Sequence, residues 1–92
     1  MGYSYVDITR TSVSEDKIID AGIKYRKAYP EDDVTKEICY VMSSATFNEL
    51  LTVGDRSKIN TANVKEFLTT TVLIDDSMSF GKMRIVTQRK EH

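Results

Sequence analysis

The sequence predicts a small α+β domain: a mainly antiparallel sheet with two helices on one face, in the order β(weak)-α-β-α-β-β. Three observations lead there. The run ICYVM, residues 38–42, is almost continuously apolar, as a central strand buried on both faces would be. Capped amphipathic segments lie on either side of it. Two β-branched runs near the C-terminus, joined by a turn-rich stretch containing Gly81, read as a hairpin. Residues 38–88 thus form one continuous strand–helix–hairpin unit.

Residues 3–8 alternate weakly and are enriched in aromatic and β-branched types, which suits a short strand or an extended arm. Ser12 and Glu15 have capping-box spacing and open the first helix, with Asp16 adding negative charge to its first turn. Ile18, Gly22, Tyr25 and Tyr29 share a face of this helix, flanked by Ile19 and Ile23, and Pro30 ends it. After the acidic triplet at residues 31–33 and the apolar strand, Ser43 or Ser44 caps a helix with Phe47, Leu50 and Leu51 as its buried stripe. Gly54 follows as the C′ residue. Residues 55–63 read as a loop, and Asn63 with Glu66 suggests a single helical turn over 64–68. Strands are expected at 69–74 and 83–88, with Gly81 at a positive φ between them. The predicted core is Ile23, Tyr40, Phe47, Leu51, Val72 and Ile85.

Ninety-two residues suit one domain, 1–92, with 1–11 as an arm and 89–92 as a flexible tail. The formal charge of −1 offers no global field to attract nucleic acid. One cysteine excludes an internal disulfide framework and a multi-cysteine zinc site. No apolar run approaches the ~20 residues that span a bilayer, and the N-terminus lacks the n- and h-regions of a signal peptide. The expected setting is a cytoplasm, with no membrane partner.

Candidate chemistry is sparse. His92 is the sole histidine and stands at the chain end, where nothing positions it. Cys39, inside an apolar strand, reads as a buried thiol rather than a nucleophile. Asp75-Asp76 and Asp32-Asp33 read as acidic loops rather than cation sites. Ser43-Ser44 reads as a cap rather than an anion site, and the four glycines have no phosphate-binding spacing. No catalytic residue, metal ligand or cofactor is expected. The residues assigned to an interface are Tyr3 and Tyr5, for their aromatic area in a weakly specified arm, and Arg84 and Arg89, on a basic C-terminal edge.

Val41-Met42-Ser43, Thr46, Leu50-Leu51, the stretch VLIDD at 72–76, Met78 and Gly81-Lys82 follow one another in a recognisable series. Residues 39–86 thereby resemble a segment of the major capsid proteins of HK97-like tailed bacteriophages. There a strand with a Met-Ser/Asn signature enters a helix with a Leu pair, and a Val/Ile-rich strand with an acidic end precedes a D-x-M-x-x-G-K turn. Thr69-Thr70-Thr71 stands where that pattern has Gly and Pro. The resemblance implies a non-enzymatic phage-type protein, a virion or assembly component that contacts another protein or its own copies. A small phage-encoded inhibitor of a host or defence protein, of anti-restriction or anti-CRISPR type, is the alternative. A nucleic-acid-binding regulator is the second.

Overall fold

Ser14, in extended backbone, accepts a hydrogen bond from the Lys17 N–H at 3.3 Å and starts α1, Glu15–Ala28. The computed structural model describes residues 4–8, 13–30 and 36–89, with residues 4, 5 and 89 described as backbone only. Ser12 lies outside that set, and the cap falls two residues after the expected position. Glu15 and Asp16 in the first turn and Arg26 and Lys27 in the last complement the helix dipole. Tyr29 closes α1 by donating its N–H to the Tyr25 carbonyl, directly before Pro30. Ile18, Ala21, Gly22 and Tyr25 are the buried stripe. Ile23 is not in the core: at 100° per residue it turns away from Gly22, and half its surface is exposed (50%). Tyr29, expected beside Tyr25, is 38% exposed.

The strands are β1 Ser4–Asp7, β2 Lys36–Met42, β3 Ile59–Asn60, β4 Glu66–Phe67, β5 Thr70–Ile74 and β6 Lys82–Arg89. They form one sheet in the order β1-β6-β2-β5-β4-β3. Four of its five pairings are antiparallel, and β2 with β5 is the parallel one. That parallel pair requires a crossover, supplied by α2, Ser44–Val53. The predicted class therefore holds, with two additional short strands, but the predicted C-terminal hairpin does not form, because β2 lies between β5 and β6 and pairs with both. As anticipated, β2 sits inside the sheet and is buried from Ile38 to Met42.

The helical turn expected at 64–68 is instead a bend followed by β4. Asn60 uses its side chain on both sides of this loop, accepting from the Ala62 N–H and donating to Glu66 Oε1. Phe67 is 1% exposed, and its burial decides the local conformation. A strand paired with Thr70 and Ile59 points it into the core, so tertiary packing overrides the cap spacing.

Alternation divides β2 into two sides. Ile38, Tyr40 and Met42 join Val72, Met83, Ile85 and Phe67 in a core cluster with Ile18, Ala21 and Tyr25 of α1 and Phe47 and Leu50 of α2. Both helices therefore cover the same face. Leu51 only flanks this cluster, and Leu50 takes the central place. Gly22 lets α1 approach the sheet, since a β-carbon there would collide with the Tyr40 hydroxyl. Arg26 reaches down from the same helix to Thr70 Oγ1 at 3.2 Å.

Candidate interaction surface

β1 ends the sheet and pairs only with β6 among the described strands. Its register places Tyr5 opposite Arg84 and Asp7 opposite Lys82, and the latter pair closes as an ion pair at 2.9 Å. Ile8 then donates its N–H to the Gly81 carbonyl and accepts from the Ser14 N–H, tying the strand to both the turn before β6 and the start of α1. Ile8 itself is fully buried, so the predicted arm is part of the domain at this point.

A cleft of about 470 Å³ opens between β1 and α1. Val6, Ala21, Tyr25 and Ala28 give it apolar walls, while Lys17, Asp20 and Lys24 lie along its helical rim. The Tyr25 and Tyr29 rings meet with centroids 5.0 Å apart at 44°, and Lys24 pairs with Asp20 at 3.0 Å. Of the two tyrosines placed on one helical face, Tyr25 is buried in the core cluster and Tyr29 is exposed. The alanines at 21 and 28, one helical face apart from bulkier neighbours, are the signal of a cleft there.

Of the four interface residues, the structure brings two together, since Tyr5 and Arg84 are register partners. Arg89 stands at the opposite end of β6, paired with Lys36, and is the last residue of a strand rather than the first of a tail. Tyr3 lies outside the described residues, as does His92.

The second face of the sheet carries Glu37, Cys39 and Val41 of β2, Arg84, Val86 and Gln88 of β6, and Thr71 and Leu73 of β5. No described helix packs there. Cys39 is nonetheless fully buried, and its Sγ donates to Glu37 Oε1 at 3.6 Å. Burial first, and the Glu37 carboxylate second, push this thiol up to about 12. Such a thiol is not a nucleophile at neutral pH.

Each carboxylate of the acidic pair has its own structural task. Asp75 accepts from the Ser77 hydroxyl and N–H, which lower its pKa, with Arg84 adding a smaller effect. Asp76 accepts from the Ser44 hydroxyl (2.6 Å) and N–H (2.8 Å), placing negative charge at the start of α2. Ser43 is the α2 cap, and its hydroxyl meets Thr46 Oγ1 at 2.8 Å, which in turn accepts from the Gly81 N–H at 3.0 Å. Among the described residues no group of three or more His, Cys, Asp or Glu could hold a metal ion, and no helix is long and apolar enough to cross a membrane.

Comparison of the chain with protein-family models, with curated proteins and with solved structures finds no match in any of the three.

Proposed function

We propose that this protein acts through protein–protein contacts as a phage-type virion or assembly component, without a reaction centre of its own. The observation that carries this reading is the position of β1. It is the terminal strand of the sheet, lies beside an apolar-walled cleft, and holds Tyr5 in register with Arg84. A terminal strand next to a groove suits an extended segment of another chain, which adds backbone pairing at the edge and side chains in the groove. The capsid-like series at residues 39–86 supports the phage-type setting. The burial and high pKa of Cys39 support a role without covalent chemistry.

The test is the Tyr3→Ala, Tyr5→Ala double variant, compared with wild type by circular dichroism and by co-purification with phage particles. Aromatic anchors commonly contribute ~2 kcal/mol or more to binding. The double variant should keep its fold and leave the particle fraction. Retention in particles at wild-type levels would move the interface away from this edge. Wild type absent from particles but bound to one host protein at fixed stoichiometry would favour the inhibitor reading.

A further inference from the structure

We infer that the chain also forms a domain-swapped dimer, hinged at Leu68 and Thr69, in which two copies exchange β5 and β6. The inference goes beyond the proposed function, because it requires neither a particle nor a host protein, only a second copy of this chain.

The hinge carries strain that nothing nearby offsets. Phe67 and Thr70 are register partners, so only Leu68 and Thr69 join β4 to β5. Both are left-handed, with φ of 48° and 63°. Such a turn normally takes Asn-Gly, because a β-carbon crowds the backbone in that region. Neither side chain compensates by packing, since Leu68 and Thr69 are both exposed. Composition points the other way: residues 66–74, EFLTTTVLI, hold no Gly, Pro, Asn or Asp and suit unbroken extended backbone.

A single chain cannot relax this turn by widening it. Phe67, on one side, is 1% exposed and belongs to the core cluster. Thr70, on the other, is buried, and its Oγ1 accepts from the Arg26 guanidinium at 3.2 Å. Releasing either flank would empty a core position or break the pairing of β4 with β5. With both flanks pinned, the two residues reach extended backbone only when Phe67 and Thr70 of one chain belong to different globules.

A swapped dimer meets that condition. Residues up to Phe67 of one copy fold with residues from Thr70 onward of the other. Each globule keeps the strand pairings of the closed monomer, with β5 and β6 of the second copy on β2, and that same β6 on β1. The register of β2 with β5 starts at Cys39 and Thr71, so β2 does not pair with the hinge residues. Two residues of each chain leave the left-handed region, and short strained hinges favour such an exchange. Association entropy opposes it, so the closed monomer prevails in dilute solution and the dimer gains with concentration. Val72, Met83 and Ile85 of the exchanged strands are core residues. Exchange therefore opens the sheet, and the two forms interconvert no faster than the protein unfolds.

Refolding tests the hinge directly. Wild type and the Leu68→Asn, Thr69→Gly double variant are unfolded in urea, refolded across a concentration series and examined by sedimentation. Wild type should yield a dimer fraction that rises with concentration and persists after dilution. The double variant fits the closed turn, so its dissociation constant should be about tenfold higher or more. Wild-type dimer refolded from a mixture of isotope-labelled and unlabelled chains should then show inter-chain NMR contacts between Phe67 and Thr70, Cys39 and Thr71, and Tyr40 and Ile85. A dimer formed through surfaces shows none of these, and the readout serves even if the double variant fails to fold. Wild type that refolds only to monomer at every concentration, a dimer lacking those inter-chain contacts, or a double variant that dimerises as strongly as wild type would each overturn the inference.

Discussion

Cys39 shows how a single residue's neighbours decide its chemistry. Its place in an apolar run already indicated burial, and the structure adds the reason for its inertness: the Glu37 carboxylate lies 3.6 Å from the sulfur on the same face. A nearby negative charge and a low-dielectric setting both oppose thiolate formation, which is why the pKa rises to about 12. In the native protein, Cys39 should therefore resist a maleimide or a disulfide reagent at neutral pH. Labelling should follow the fraction unfolded as denaturant is added. Rapid stoichiometric labelling without denaturant would show that the strand opens locally. Other residues were legible only in part. Gly22 was placed on the apolar face of α1, and it is buried there, where a β-carbon would collide with the Tyr40 hydroxyl. Ile23 was misplaced because hydrophobicity was weighed above angular position, although Ala21 and Gly22 already filled the buried stripe.

At the scale of elements, the long periodic segments were readable and the short ones were not. α1, β2, α2, β5 and β6 all appear within a few residues of their expected limits. β3 and β4 are two residues each, too short for any period to show, and they form because Phe67 must reach the core. The turn that follows carries an unusual conformation. Leu68 (φ 48°) and Thr69 (φ 63°) are both left-handed, as in the two-residue hairpin turn that normally takes Asn-Gly. Neither residue suits that region, and Thr is β-branched, so the pair stores strain of about 1–3 kcal/mol per residue at most. Leu68 is also 44% exposed, so replacing it removes little packing. The Leu68→Asn, Thr69→Gly variant should be more stable than wild type by about 1–2 kcal/mol, measured by urea unfolding. Unchanged or lower stability would mean that contacts of these side chains outweigh the backbone strain.

For the whole molecule, the candidate site depends on how distant segments are tied together, and this was the least legible level. Nothing in the sequence pairs Glu15 with residues some forty positions away. In the fold its Oε2 accepts from the Asp55 N–H at 3.0 Å and its Oε1 from Lys58 Nζ at 2.9 Å, clamping the start of α1 to the loop after α2. Since α1 also forms one wall of the cleft beside β1, the clamp fixes the wall that a partner would meet. The Asp55 hydrogen bond, followed by Lys58, holds the Glu15 pKa below the usual carboxylate value, and Glu15 raises that of Lys58. A carboxylate with a lowered folded-state pKa stabilises the fold above its unfolded value, and that contribution is lost as pH falls through the folded value. Lys58 acts in the opposite sense: its contribution is full below its ordinary value and lost as pH rises through the raised one. The clamp is therefore complete around neutral pH and releases first on the acid side. Glu15→Gln should lower the melting temperature by a few degrees at pH 7, and by less once the pH has fallen through the lowered folded-state value, where the wild-type carboxyl is itself protonated. Asp55, Asp75 and Asp76 are lowered by their own hydrogen bonds, so the variant should keep part of the acid sensitivity. An equal loss of melting temperature at both pH values would show that Glu15 stabilises through packing rather than through its charge.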